Sequence, residues 1–197
     1  MKTKSFFFSI ILILLITVSC SGNIPGTDAT ATPALPQAAS TRVSSGMGSF
    51  FSIDEVGLGP NGYVTLTNFT DQPANLGGLF LCQGSQCFGL PDVVVDAGKT
   101  VRIAAGDGAG YEGVVATRAT LGELRPADGE IALLASQELD DPQAMLAYFQ
   151  WGSTPHKLTQ IAIEAGLWLQ GGYGPSSQTA TRLFRNKDSG LWLFDEP

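Results

Sequence analysis

The chain has 197 residues, eleven of them basic and eighteen acidic, for a formal net charge of −7. That acidic balance, with no run of lysine or arginine, excludes a protein that draws nucleic-acid affinity from phosphate neutralisation, and a hydrophobic content of 44% excludes a disordered chain. The length suits one domain of ordinary size plus a tether and leaves no room for a second full domain.

Lys2 and Lys4 precede an uninterrupted run of apolar or small residues over 6–16, which Thr17-Val18-Ser19-Cys20 closes. A basic start, an apolar stretch short of the roughly 20 residues of a spanning helix, and small residues at the break define a secretory signal over 1–19. The segment resembles the lipobox of bacterial lipoproteins. That resemblance implies that Cys20 is acylated, becomes the mature N-terminus and ties the chain to a membrane; the competing reading is an ordinary cleaved signal with an incidental cysteine. Loss of Lys2 and Lys4 leaves nine basic residues against eighteen acidic ones, a net charge of −9. Arg182, Arg185 and Lys187 then form the densest basic group, read as a solvated edge.

Residues 20–48 are rich in Ser, Thr, Ala, Gly and Pro, carry only Asp28 and Arg42 as charges, and lack an apolar face to bury. They form a flexible linker that holds the following domain about 30 Å from the lipid surface. From residue 49 the pattern is strand after strand: 50–56, 62–69, 78–83, 86–90 and 99–104. Each is bounded by turn chemistry such as Gly59-Pro60-Asn61-Gly62, Asp71-Gln72-Pro73 and Asp96-Ala97-Gly98. Val64 and Leu66 alternate with Thr65 and Thr67, and Val101 and Ile103 flank Arg102, as in sheets with one buried face.

Between the third and fourth strands, Gly84-Ser85 is a two-residue turn of the II′ kind. Its register pairs Gln83 with Gln86 and sets Cys82 opposite Cys87 on a non-hydrogen-bonded pair, where a disulfide closes across about 4.5 Å between Cα atoms. In an exported protein that bond persists. Its small ring contributes roughly 2 kcal/mol, enough to pin a hairpin tip without holding the fold.

Strands are expected again at 114–117, 129–135 and 145–151, the last two strongly apolar. One short helix follows, capped by Ser153 or Thr154, with Pro155 at its first position, an apolar stripe of Leu158, Ile161, Ala165 and Trp168, and Gly166 as its terminator. A hairpin over 179–184 and 191–194 closes the domain. Eight to ten short strands and one helix near the C-terminal part give an all-β sandwich over 49–197.

Ile53-Asp54-Glu55-Val56, then Gly62-Tyr63-Val64-Thr65-Leu66-Thr67-Asn68-Phe69-Thr70, then Asn75-Leu76-Gly77-Gly78-Leu79-Phe80-Leu81 resemble the opening of a lamin tail domain. The likeness runs on through Phe88-Gly89-Leu90, the edge strand Ala97-Gly98-Lys99-Thr100-Val101-Arg102-Ile103, Asp128-Gly129-Glu130-Ile131-Ala132-Leu133-Leu134 and Phe149-Gln150-Trp151-Gly152. It spans about residues 50 to 152; Trp151-Gly152, His156 and Ala165-Gly166-Leu167-Trp168 look like an extension of bacterial secreted relatives. The resemblance implies an immunoglobulin-like sandwich that serves recognition or assembly at the bacterial cell surface and is not itself an enzyme. The family's glutamates around the apolar positions of the second strand are replaced here by Gly62 and Thr65, so no charge-based partner carries over.

His156 is the only histidine, so any triad must use it, and no G-x-S-x-G elbow or free thiol stands ready beside it. One histidine likewise rules out a zinc or blue-copper ligand set. Asp54-Glu55 and Asp140-Asp141 offer oxygens to calcium but stand in no D-x-D-x-D-G loop. No metal site, catalytic residue or cofactor is therefore assigned. Of Trp151, Trp168, Tyr173, Trp192 and Phe194 most read as core, Trp151 ending an apolar strand and Trp168 completing an apolar stripe, whereas Tyr173, in the flexible loop Gln170-Gly171-Gly172-Tyr173-Gly174-Pro175, reads as the exposed binding residue. The function expected is a lipid-anchored extracytoplasmic module that binds protein or glycan, in contact with the membrane through Cys20; the alternative is an accessory or hydrolytic component acting on envelope polymers.

Overall fold

The computed structural model describes residues 49–105, the backbone of 114–116, and residues 121–197. Cys20, the signal and the linker lie outside the described residues. The described chain is an all-β, sandwich-like fold with one short helix. A six-stranded sheet runs β12-β11-β1-β2-β7-β8 and a four-stranded one β10-β9-β4-β5.

In the first sheet β1 (Phe51–Gly57), β2 (Tyr63–Asn68) and β7 (Thr100–Ala104) are antiparallel neighbours, and β8 (Val114–Ala116) joins β7 in parallel. β11 (Arg182–Arg185) and β12 (Trp192–Asp195) form the expected closing hairpin on the other flank, with β11 against β1. The second sheet holds β4 (Phe80–Gln83), β5 (Gln86–Gly89), β9 (Gly129–Leu134) and β10 (Met145–Trp151). β3 (Ala74–Asn75) and β6 (Val94–Val95) make a separate two-stranded ladder. Two residues each, they are too short for alternation to reveal.

One expectation about the strands needs correction. The strand at 99–104 is not an edge: β7 lies between β2 and β8, because the parallel partner arrives after an intervening connection that strand-by-strand reading does not anticipate. β1 does not alternate along its whole length. Its register slips between Ile53 and Glu55, so that Asp54 and Glu55 both face outward while Ile53 and Val56 stay buried.

The core lies between the two sheets. Leu66, Val64, Ile103, Val56 and Leu183 face Leu81, Ile131, Leu133, Phe149 and Trp151, all fully buried. Trp192 of the first sheet stacks on Phe149 of the second, ring centroids 3.5 Å apart and planes 13° from parallel. Each such side chain contributes about 2 kcal/mol by leaving water.

The helix α1 (Thr159–Glu164) covers the other face of the four-stranded sheet, and its start departs from expectation. Ser153, Thr154 and Pro155 are exposed and stand before it; Leu158 occupies the N-cap and has no side-chain oxygen to offer. Its end follows the sequence. Gly166, at φ +71°, donates to the Ile163 carbonyl (3.0 Å) and Leu167 to that of Ala162 (2.9 Å), the paired bonds of a Schellman stop.

Candidate functional site

Each sheet sets a tyrosine hydroxyl on a glutamate carboxylate, and the two pairs occupy opposite sides of the sandwich. The first lies on the outer face of the six-stranded sheet. The bulge in β1 turns Glu55 outward, and register places Thr65 of β2 beside it and Arg102 of β7 beyond. Tyr63 donates to Glu55 Oε1, while Arg102 (3.6 Å) and Arg182 (3.8 Å) approach the same carboxylate from both sides. The Arg102–Glu55 pair thus spans three strands and roofs Thr65, whose hydroxyl is buried without a hydrogen-bond partner among the described residues.

Arg102 also lies over the Tyr63 ring, 3.9 Å from its centroid, and Arg182 over that of Phe184 at 4.9 Å. Arg182 binds Asp195 of β12 through Nε (3.0 Å) and Nη2, and that bond raises its pKa. Burial of the Tyr63 phenol, reinforced by Glu55, pushes its pKa up to about 12. The result is a part-exposed surface of alternating guanidinium, ring and carboxylate. Such a surface offers stacking planes and hydrogen bonds of both polarities, which suits recognition of a polar polymer.

The second pair is buried beneath α1. Glu130 of β9, 3% exposed, faces Tyr148 and Gln150 of β10 and Thr159 of α1. Tyr148 Oη lies 2.9 Å from Glu130 Oε2, 2.8 Å from Gln150 Oε1 and 3.1 Å from Thr159 Oγ1. Thr159 donates to Gln150 Oε1 (2.6 Å) and accepts the His156 amide (2.7 Å). Both carboxylate oxygens of Glu130 accept the Leu158 amide, at 3.2 and 3.0 Å. The missing N-cap of the helix is therefore this carboxylate, 28 residues earlier in the chain.

Among the described residues no arginine or lysine side chain bonds to Glu130. Desolvation raises its pKa and outweighs the bonds from Tyr148 and Leu158 and the nearby His156, which favour the anion; desolvation and Glu130 raise that of Tyr148 as well. Hydrogen-bond counting agrees. When Glu130 is protonated it donates to Tyr148, and the phenol donates onward to Gln150, so every oxygen of the cluster is satisfied.

The residues singled out from sequence fall around these clusters. Cys82 and Cys87 stand directly opposite each other, Cα atoms 4.1 Å apart and sulfurs at bonding distance, in the register expected from the Gly84-Ser85 turn. Tyr173 is half-buried, and its loop is pinned, contrary to expectation. Gly174 bridges Gly152, and the Gly172 carbonyl accepts from Trp168 Nε1 (3.1 Å) and Gln150 Nε2 (3.3 Å). A Cβ on Gly174 would come within 2.0 Å of the Gln150 carbonyl, so the close approach requires glycine. Trp151, Trp168 and Trp192 are core, but Phe194 is 40% exposed, because β12 ends the sheet and leaves its ring overhanging.

His156 sets its Nε2 3.2 Å from the Trp151 carbonyl. Asp141 makes a turn, its carboxylate accepting the Gln143 amide at 2.8 Å. Among the described residues no group of three or more His, Cys, Asp or Glu gathers in a metal-binding arrangement, and no helix is long and apolar enough to cross a membrane.

Neither Glu–Tyr cluster was found from sequence. A signal existed for the buried one: Glu130 and Gln150 interrupt two otherwise apolar strands, and a polar residue inside such a strand needs partners. No protein-family model matches the chain, and no curated protein matches it.

Proposed function

We propose that this protein is a lipid-anchored, extracytoplasmic module of the lamin tail type that binds a protein or glycan at the bacterial cell surface and catalyses no reaction. The signal over 1–19 and its terminal Cys20 support the anchor and the location. One observation carries the binding reading: the outer face of the six-stranded sheet presents Tyr63, Arg102, Arg182 and Phe184 as stacked cation and ring pairs around Glu55. The non-catalytic reading is supported by His156, whose ring is held on a backbone carbonyl and whose amide is held on Thr159. Tyr173, half-exposed on its pinned loop, remains a secondary contact.

Two measurements test this. Detergent partitioning of Cys20→Ala against the parent reads the anchor, since only an acylated thiol ties the mature chain to lipid; unchanged membrane partitioning removes the lipoprotein reading. Sedimentation of the full chain with purified envelope polysaccharide and with envelope protein reads the binding. Loss of co-sedimentation in Arg102→Ala and Arg182→Ala, with Tyr173→Ala less affected, supports the outer face as the site. Equal binding by all three variants and the parent rejects it.

A further inference from the structure

β12 ends the six-stranded sheet, and among the described residues no strand pairs with its outer side. The Asn186 amide to Leu191 carbonyl bond (2.8 Å) sets the phase of the β11–β12 ladder. By alternation the backbone groups of Leu191 and Leu193 turn toward β11, and those of Trp192 and Phe194 turn outward with no partner among the described residues. Leu191, Leu193 and Phe194 are each about two-fifths exposed and lie along this one edge. The strand carries no lysine, bulge or internal proline, the features that keep edges from pairing.

Other edges differ. β10 is covered by the segment that carries Trp168, Gly172 and the Gly174 bridge. β5, four residues long like β12, is tied by the disulfide and bears no large exposed apolar side chain.

We infer that β12 pairs antiparallel with β12 of a second copy of this chain, across a two-fold axis at Leu193. The phase permits it. Outward-facing Trp192 and Phe194 then exchange backbone hydrogen bonds with Phe194 and Trp192 of the other copy, and the two Leu193 side chains meet at a non-hydrogen-bonded pair. Charge supports a copy over an unrelated strand. In that register Glu196 comes opposite Gly190 of the other copy, whose carbonyl holds the Arg185 guanidinium (3.3 Å), while Lys187 and Asp188 of the loop offset each other, and no like charges stand directly opposite. Ser177 and Thr179 bond to Glu196 and hold its pKa below the usual carboxylate range, so the end remains anionic. The interface is isologous and closes on itself, using up the open edge. Surface tethering of both copies favours it by raising their effective concentration.

The test is cross-linking in the full-length chain. At a non-hydrogen-bonded antiparallel pair the Cα atoms are about 4.5 Å apart, within disulfide reach, so Leu193→Cys is expected to give several-fold more disulfide-linked dimer on a non-reducing gel than Leu191→Cys or Leu169→Cys. The parent chain sets the background from native cysteines. On the Leu193→Cys background, Phe194→Pro deletes an outward amide without touching the internal ladder, and is expected to lower the yield more than Phe194→Ala, which keeps the amide. Circular dichroism confirms that the proline variant is folded, and the contrast between positions 193 and 191 decides the matter independently of it. Equal yields at 193, 191 and 169, a folded proline variant that cross-links like the alanine one, or a cross-link to a different polypeptide in place of the dimer each overturn the inference.

Discussion

The same two side chains, glutamate and tyrosine, meet on both sheets, and their surroundings give them opposite characters. Glu55 and Tyr63 lie on an outer face among Arg102, Arg182 and water, with the Glu55 side chain one-fifth exposed. Glu130 and Tyr148 lie under a helix, where the carboxylate bonds to no cationic side chain among the described residues and supplies the cap that Leu158 needs. In the first pair charge is compensated by charge. In the second, burial works against charge, and the carboxylate is held by hydrogen bonds alone. One cluster therefore faces solvent, where the proposed binding would take place, and the other holds the helix in place.

Deleting each carboxylate separates the two most strongly. Glu130→Ala strands the Leu158 amide, removes a partner of Tyr148 and opens a cavity, and is expected to cost about 3 kcal/mol in denaturant unfolding. Glu55→Ala removes part-exposed ion pairs and is expected to cost about 1 kcal/mol or less, with the loss shrinking in high salt. Equal losses would show that the buried cluster does not cap the helix.

The glycines opposite two aromatic rings extend the contrast. Gly129 faces Trp151 and Gly57 faces Tyr63, and a Cβ at either would come within 2.3 Å or 2.2 Å of the ring. Trp151 is fully buried, with its Nε1 on the Arg125 carbonyl at 2.8 Å. Gly129→Ala is therefore expected to cost about 2 kcal/mol by overpacking. The Tyr63 ring can lift toward solvent, so Gly57→Ala should cost about 1 kcal/mol and loosen the Arg102 stack. Thermal melts of the two variants give the comparison.

Protonation provides a finer reading. The raised pKa of Glu130 means that the folded state holds a proton there after the unfolded chain has lost it. Its contribution to stability is greatest below the ordinary glutamate pKa of 4.5 and declines as pH rises toward the raised folded value. Glu130→Gln keeps the shape, accepts the Leu158 amide and donates to Tyr148, as the protonated acid does. Unfolding free energies measured from pH 4 to 8 should show the parent losing stability relative to Glu130→Gln as pH rises. A change in the opposite direction would mean that Glu130 is held ionised.

How much was legible in the sequence follows from which contacts are local. The alternation of Val64, Leu66, Val101 and Ile103 identified two strands and their buried faces, and the six-residue span from Cys82 to Cys87 contained both the turn and the register that bring the sulfurs together. Gly166 marked the helix stop because a Schellman motif is built within one turn. The N-terminal cap was misread because Ser153 and Thr154 are local candidates while Glu130 is brought to Leu158 only by tertiary packing. The outer cluster was hidden for a related reason: a one-residue bulge in β1 decides that Glu55 faces Arg102 and Arg182. Tyr173 was read as loose from its glycines, yet those glycines are what let the backbone press against Gln150.

The smallest expected effect isolates Tyr63. Its phenol ionises near pH 12 chiefly because it is shielded from water, and secondly because it donates to Glu55 and feels that negative charge; Arg102 and Arg182 act the other way. The unfolded chain ionises this tyrosine near 10, so Tyr63 weakens folding as pH climbs from about 10 toward 12. Glu55→Gln removes the charge and leaves the shielding, so the Tyr63 midpoint should fall part of the way toward 10 and stop short of it. Among the described tyrosines only Tyr63 bonds to Glu55, so the difference between parent and variant in ultraviolet absorbance of phenolate reports Tyr63. A complete return to 10 would mean that Glu55 sets the shift; no movement would mean that shielding alone does, and that Glu55 is held on the outer face by its arginines without help from the tyrosine.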